Sequence, residues 1–91
     1  MMLFEWNEDK AGANVRKHSV TFHEAATVFG DPLAVTFADP DHSVREQRYL
    51  TYGVSSFGRR LVVSHADDNE RVRIISARLM TRSEKRIYEE G

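Results

Sequence analysis

The apolar residues of this chain change their period once, at Asp31-Pro32. Before that point, "TFHEAATVFG" places Phe22, Ala25, Ala26 and Phe29 at i, i+3, i+4 and i+7, which is one face of a helix. Thr21 and Glu24 have the spacing of a capping box that opens this helix, and Gly30 stops it. After that point the period is two. "LAVTFA" (Leu33 to Ala38), "QRYLTYGV" (Gln47 to Val54), "RLVVSHA" (Arg60 to Ala66) and "RVRIISA" (Arg71 to Ala77) read as strands. Short turns, "DPDHS", "SSFGR" and "DDNE", separate them, so the last three strands should form an antiparallel meander. A chain built this way can bury its apolar faces only by laying helices on a sheet.

The two ends complete the pattern. "LFEW" (Leu3 to Trp6) reads as a short strand, and Asn7 caps a helix running to about His18. Thr81 and Glu84 form a second capping box, opening a C-terminal helix towards Tyr88. The predicted order is β-α-α-β-β-β-β-α, an α+β fold with two N-terminal helices on an antiparallel sheet and a C-terminal helix. At 91 residues, 41% hydrophobic, the chain is expected to be a single domain over residues 1–91. It has no cysteine, which excludes a disulfide or a Cys-based metal site and fits a reducing compartment. No apolar run approaches a membrane span, and "MMLFEWNEDK" lacks the features of a signal peptide, so a cytoplasmic protein without membrane contact is expected.

The net charge of −1 hides an asymmetry. Residues 1–40 carry six acids against three bases, while residues 41–91 carry ten bases against eight acids. Ten of the thirteen basic residues are arginine, the side chain suited to planar, bidentate contacts with phosphate or carboxylate. That bias points to an anionic partner; a solvated face with ordinary surface pairs is the plain alternative.

Strict alternation on the last strand puts Val72, Ile74 and Ser76 on one face and Arg71, Arg73, Ile75 and Ala77 on the other. With the N-terminal helices covering Val72 and Ile74, Arg71 and Arg73 lie on the open side. His65 is in phase with Leu61 and Val63, and Arg48 with Leu50 and Tyr52. Arg82, Lys85 and Arg86 extend a basic stripe along the last helix. A sheet face holding several arginines can neutralise the phosphates of a polyanion. With a titratable group at the 2′-hydroxyl, the same arrangement can cleave RNA without metal, because arginine stabilises the charge building on the phosphorane oxygens.

Two segments carry a family resemblance: "FEWNEDKAGANVRKHSVTFHEAATVFGDP" (Phe4 to Pro32) and "RIISARLMTRSEKRIYE" (Arg73 to Glu89). In this order and at this distance they resemble the BrnT toxins, ribonuclease partners in BrnT/BrnA type II toxin–antitoxin modules with a RelE-like fold. The resemblance implies an endoribonuclease that blocks translation. It also implies neutralisation by a ribbon-helix-helix antitoxin similar to BrnA, with operator DNA bound only through the toxin–antitoxin complex. Two departures stand out. Asn7 replaces the usual Asp after Trp6, which preserves a cap but removes a carboxylate. Ser19 replaces the usual Gly of "K-H-G-V"; a left-handed cap there costs Ser on the order of 1 kcal/mol relative to Gly.

The resemblance marks Arg73 and Arg78, both within "RIISAR", as the first candidates for phosphate contacts, with Arg48 in "EQR" as a third. Their structural alternatives are a strand–helix junction cap for Arg78 and an ion pair with an acid such as Glu84 for Arg73. His65 can act as general acid or base, or be a hydrogen-bonded core histidine. Tyr88 can donate a proton to the leaving oxygen or stack on a base, or simply anchor the last helix. Arg71, Arg82, Lys85 and Arg86, with Lys10 on the first helix, are candidates for the RNA backbone. Histidines 18, 23, 42 and 65 have no metal-ligand spacing, and Asp39, Asp41 and His42 sit in a turn whose polarity needs no ligand, so neither metal nor cofactor is expected. A non-catalytic RNA-binding or protein-interaction module using the same basic face is the rival from another class.

Overall fold

The computed structural model of the chain describes residues 2–43 and 45–91. Strand β1 (Leu3–Glu5) leads into helix α1 (Glu8–His18) and helix α2 (Phe22–Thr27), which tightens into a 3-10 turn at Val28–Gly30. Strand β2 (Val35–Ala38), a second 3-10 turn (Pro40–His42), and strands β3 (Arg48–Val54), β4 (Arg60–Asp68) and β5 (Arg71–Leu79) follow, and helix α3 (Arg82–Glu90) ends the chain. The five strands form one sheet in the order β1-β5-β4-β3-β2. Its last three strands are the expected antiparallel meander, which β2 extends by pairing antiparallel with β3, but β1 runs parallel to β5, with Phe4 beside Val72, so the sheet is mixed rather than antiparallel throughout.

Local signals place the helices. Asn7 accepts the Lys10 N–H at 3.0 Å, and Thr21 accepts the Glu24 N–H at 3.0 Å. Only half of the first capping box forms. Glu24 turns inward instead, accepting from Ser55 Oγ at 2.7 Å and pairing with Arg59, which also donates to the Ser19 carbonyl at 3.0 Å. The second box is complete: Thr81 accepts the Glu84 N–H, and Glu84 Oε1 accepts the Thr81 N–H at 2.8 Å. Ser19 ends α1 in the left-handed conformation, φ 58°, with its N–H bonded to the Val15 carbonyl.

Both sheet faces are used. On one, α1 and α2 bury Val20, Phe22, Ala25 and Val28 against Leu61, Val63, Ile74 and Ala77. On the other, α3 covers Tyr52, Val62 and Met80, with Leu50 and Tyr88 packed beside them. Asn14, buried in α1, ties the helix to the sheet: its side-chain NH2 donates to the Val20 and Ala77 carbonyls, both at 2.9 Å, and its carbonyl accepts the Ala77 N–H at 3.1 Å.

Strict alternation fails in β5. Ser76 lies opposite Ser64, but Ile74 lies opposite His65, so Ile75 is an extra residue, a β-bulge. Past the bulge every side chain changes face. Ala77 therefore enters the helix-covered core, where it is fully buried, and Ser76 joins the other face, reversing the expectation for both. Arg78 does not leave the strand as expected; it stays in β5, opposite Val62. The bulge thus puts Arg71, Arg73, Ser76 and Arg78 on one face, although unbroken alternation would have set Ser76 and Arg78 on the face opposite Arg71 and Arg73.

Candidate functional site

Cross-strand register extends this arginine face. Arg48 lies opposite Ala66, which lies opposite Arg73, and Leu50, Ser64 and Ser76 form the next row across the sheet. The face is bounded on one side by α3 and on the other by the segment joining β2 to β3. Two adjoining depressions of about 550 and 490 Å³ open there, within the range of small-ligand sites. The first holds Glu46 and Arg73, the second Ser64, Ser76 and Arg78, and both are lined by Asp41, His42 and Arg48. Together they form a groove along the open sheet face.

Arg48, Arg73 and Arg78 each have a carboxylate near them. Arg78 donates to Glu84 through both terminal nitrogens, at 2.7 and 2.9 Å. That bidentate contact, reinforced by the Thr81 N–H, holds the Glu84 carboxyl down at about 2, while the carboxylate raises the Arg78 guanidinium and burial raises Tyr52. Arg73 pairs with Glu46, whose carboxyl is held below its ordinary value by Arg73 first and Arg48 second. Arg48 Nε lies 3.6 Å from the same Glu46 oxygen, too far for a hydrogen bond, and has no hydrogen-bond partner among the described residues although the atom is buried. The fixed acids thus hold the guanidinium groups in place; Arg48 alone keeps a buried donor unsatisfied. The acid that pairs with Arg73 is Glu46 and not Glu84, because Glu84 reaches Arg78 from the first turn of α3.

The other sequence candidates divide sharply. His65 is buried on the helix-covered face, away from the groove, with Nε2 2.7 Å from Thr51 Oγ1 and Nδ1 2.8 Å from Asp67. Burial lowers its pKa, against the pull of Asp67, which favours the neutral ring. Tyr88 donates to Asp31 Oδ2 at 2.6 Å, a contact that raises its own pKa, and Asp31 also accepts the Val54 N–H at 2.9 Å. Its ring anchors α3, and its hydroxyl is engaged outside the groove. Arg71 is exposed at the far end of β5, in a depression with Glu5, Asp68 and Glu70. Arg82, Lys85 and Arg86 are exposed on α3 beside the groove, whereas Lys10 lies on α1, in the layer behind the sheet. Among the described residues no three His, Cys, Asp or Glu side chains gather as metal ligands.

The family model described as "Ribonuclease toxin, BrnT, of type II toxin-antitoxin system" matches residues 6–84. The chain belongs to the BrnT family. Membership makes it a ribonuclease toxin of a type II toxin–antitoxin system, with a cognate antitoxin as its partner. The crystal structure of the Brucella abortus ribonuclease toxin BrnT superposes on this BrnT chain with a TM-score of 0.70, covering 90% of it and 100% of the Brucella chain. At 19% identity that likeness speaks for the fold alone. No curated protein matches the chain.

Two features of this BrnT groove escape strand periodicity. Glu46 and the turn residues Asp39, Asp41 and His42 reach the groove from a segment without regular period, and only the pairing of β2 with β3 brings that segment back over the sheet. Ser43 fastens it: its hydroxyl donates to the Asp39 carbonyl at 2.5 Å and accepts the Arg48 N–H at 3.0 Å. The signal in the sequence is modest. The segment between "LAVTFA" and "QRYLTYGV" is longer and more charged than a tight hairpin requires.

Proposed function

We infer that this toxin is a metal-independent endoribonuclease that cuts RNA by internal 2′-hydroxyl attack and so inhibits translation. One observation carries the reading: the bulge at Ile75 gathers Arg73 and Arg78 on one face, in adjoining depressions that Arg48 and His42 both line. Arg73 and Arg78 lie opposite Ala66 and Val62, four residues apart along β4, a span of about 13 Å at ~3.3 Å per residue, so they serve different phosphates along one strand of RNA. Arg48 stands in the same row as Arg73, with a buried donor to offer. A phosphate entering there takes the place of the Glu46 carboxylate. As charge builds on the phosphorane oxygens, fixed guanidinium donors stabilise it more than they stabilise the ground state. Arg71, Arg82, Lys85 and Arg86 continue the cationic track at either end of the groove, giving salt-dependent binding.

The partner is a ribbon-helix-helix antitoxin, and operator DNA is contacted through the complex alone. A neighbouring gene for such a protein, whose product copurifies with the toxin and suppresses cleavage, supports this; a partner of another fold overturns it. The reaction is tested with purified wild type, Arg73→Ala and Arg48→Ala in chelator at low salt. Wild type is expected to cleave, and each variant to lose about 100-fold or more, the scale of removing one preorganised donor. Binding without cleavage by the wild type, with or without ribosomes, overturns the enzyme reading in favour of a non-catalytic RNA-binding module.

A further inference from the structure

The groove contains one imidazole that nothing in the core restrains. His42 lies in the 3-10 turn Pro40–His42, with its side chain 67% exposed, and lines both depressions between Arg73 and Arg78. Its Nδ1 is 3.0 Å from Asp39 Oδ2, so Asp39 fixes the ring and leaves Nε2 without a protein partner among the described residues. The contrast with His65 is instructive: both nitrogens of that ring are already bonded, and it sits behind the sheet. The turn that carries His42 is itself held. The Asp39 N–H donates to the Arg48 carbonyl at 2.8 Å, and the Ser43 hydroxyl bonds both Asp39 and Arg48.

On the reading of the groove as a ribonuclease site, we propose that His42 is the general base of the reaction and Asp39 its positioning residue. Nε2 takes the proton of the 2′-hydroxyl; the 2′-oxygen–phosphorus bond forms as the phosphorus–5′-oxygen bond breaks. The departing 5′-oxygen is protonated by water, which recovers the proton from the imidazolium, leaving a 2′,3′-cyclic phosphate and a free 5′-hydroxyl. Asp39 favours the tautomer with the proton on Nδ1 and stabilises the imidazolium as it forms. The other charged groups facing the ring are Asp41, Arg45 and Glu46 from the same segment, Arg48 from β3, and Arg73 and Arg78 from β5.

The test compares wild type, His42→Ala and His42→Arg in two measurements: cleavage of a short RNA across pH 5 to 9, and binding of its 2′-O-methyl analogue, which lacks the nucleophile. Exposure of the side chain keeps the fold of both variants intact, which circular dichroism verifies. Both variants are expected to lose about 100-fold or more in cleavage, the usual scale of general-base catalysis, while binding changes less than about twofold. The acid limb of the wild-type kcat/KM profile should disappear from the residual activity, and free imidazole should restore part of the His42→Ala rate. A loss below about tenfold overturns the assignment. So does activity retained by His42→Arg, which would make the role one of charge, or a loss in binding that matches the loss in cleavage. If the wild type itself cuts no RNA, the ribonuclease reading of the groove fails and this assignment with it; if the wild type cuts and His42→Ala cuts equally well, His42 alone is excluded.

Discussion

Replacing Glu84 by Gln separates the charge of the Arg78 partner from its shape. The amide that results keeps an oxygen for the Thr81 N–H, so the helix cap survives, but the ionic part of the bidentate contact is lost. Glu84 has its carboxyl lowered from 4.5 to about 2, which at about 1.4 kcal/mol per unit corresponds to roughly 3.4 kcal/mol if fully expressed. The Arg78 side chain is 38% exposed, so solvent screening cuts the expected cost to about 1–2 kcal/mol. For a domain of this size that is a fall in Tm of roughly 4–16 °C. The folded carboxyl titrates below the unfolded one, so its contribution is complete above about pH 5 and drains away as pH falls through 4.5 towards 2. Urea unfolding of both proteins at pH 7, 4 and 2.5 measures it. The gap between them should be widest at pH 7 and reduced to roughly a quarter at pH 2.5. A gap that stays constant across that range would refute the ionic origin and leave packing as the cause.

Two further substitutions probe how the groove is held. Ser19→Gly relieves a left-handed residue whose side chain makes no hydrogen bond among the described residues, and should raise stability by about 1 kcal/mol, or roughly 4–8 °C in Tm; no gain would show that the turn carries no strain. Asn14→Ala strips partners from the Val20 carbonyl and from both backbone groups of Ala77, beside the bulge, and should cost about 2–4 kcal/mol in urea unfolding. A cost below about 1 kcal/mol would mean that water replaces all three bonds.

The sequence by itself determined the elements. Capping residues and apolar spacing act within a few residues of themselves, so Asn7, Thr21, Thr81 and the switch of period at Asp31-Pro32 fix where helices begin and strands take over. The resemblance carried jointly by the segments Phe4 to Pro32 and Arg73 to Glu89 named the family that the match over residues 6–84 then showed. Small local choices were decided by distant partners: Glu24 abandoned its cap because Arg59 and Ser55, more than thirty residues away, offer a buried carboxylate better company than an exposed N–H does.

Tertiary structure decided what shares a face. Nothing in "RVRIISAR" marks Ile75 as the extra residue; the bulge exists because β4 pairs on both sides of it and Ala77 is drawn into the core beside Asn14. One residue of register reverses every side chain beyond it, and so Arg78 comes to stand with Arg73. His65, read either as an acid–base candidate or as a core histidine, is buried behind the sheet, because its side of the strand faces the helices. His42 looked like turn filler and lies in the groove, because hairpin pairing folds its segment back over the sheet. Periodicity is local and can be read along a chain; the meeting of segments that lie far apart in sequence depends on register, which only the packed sheet sets.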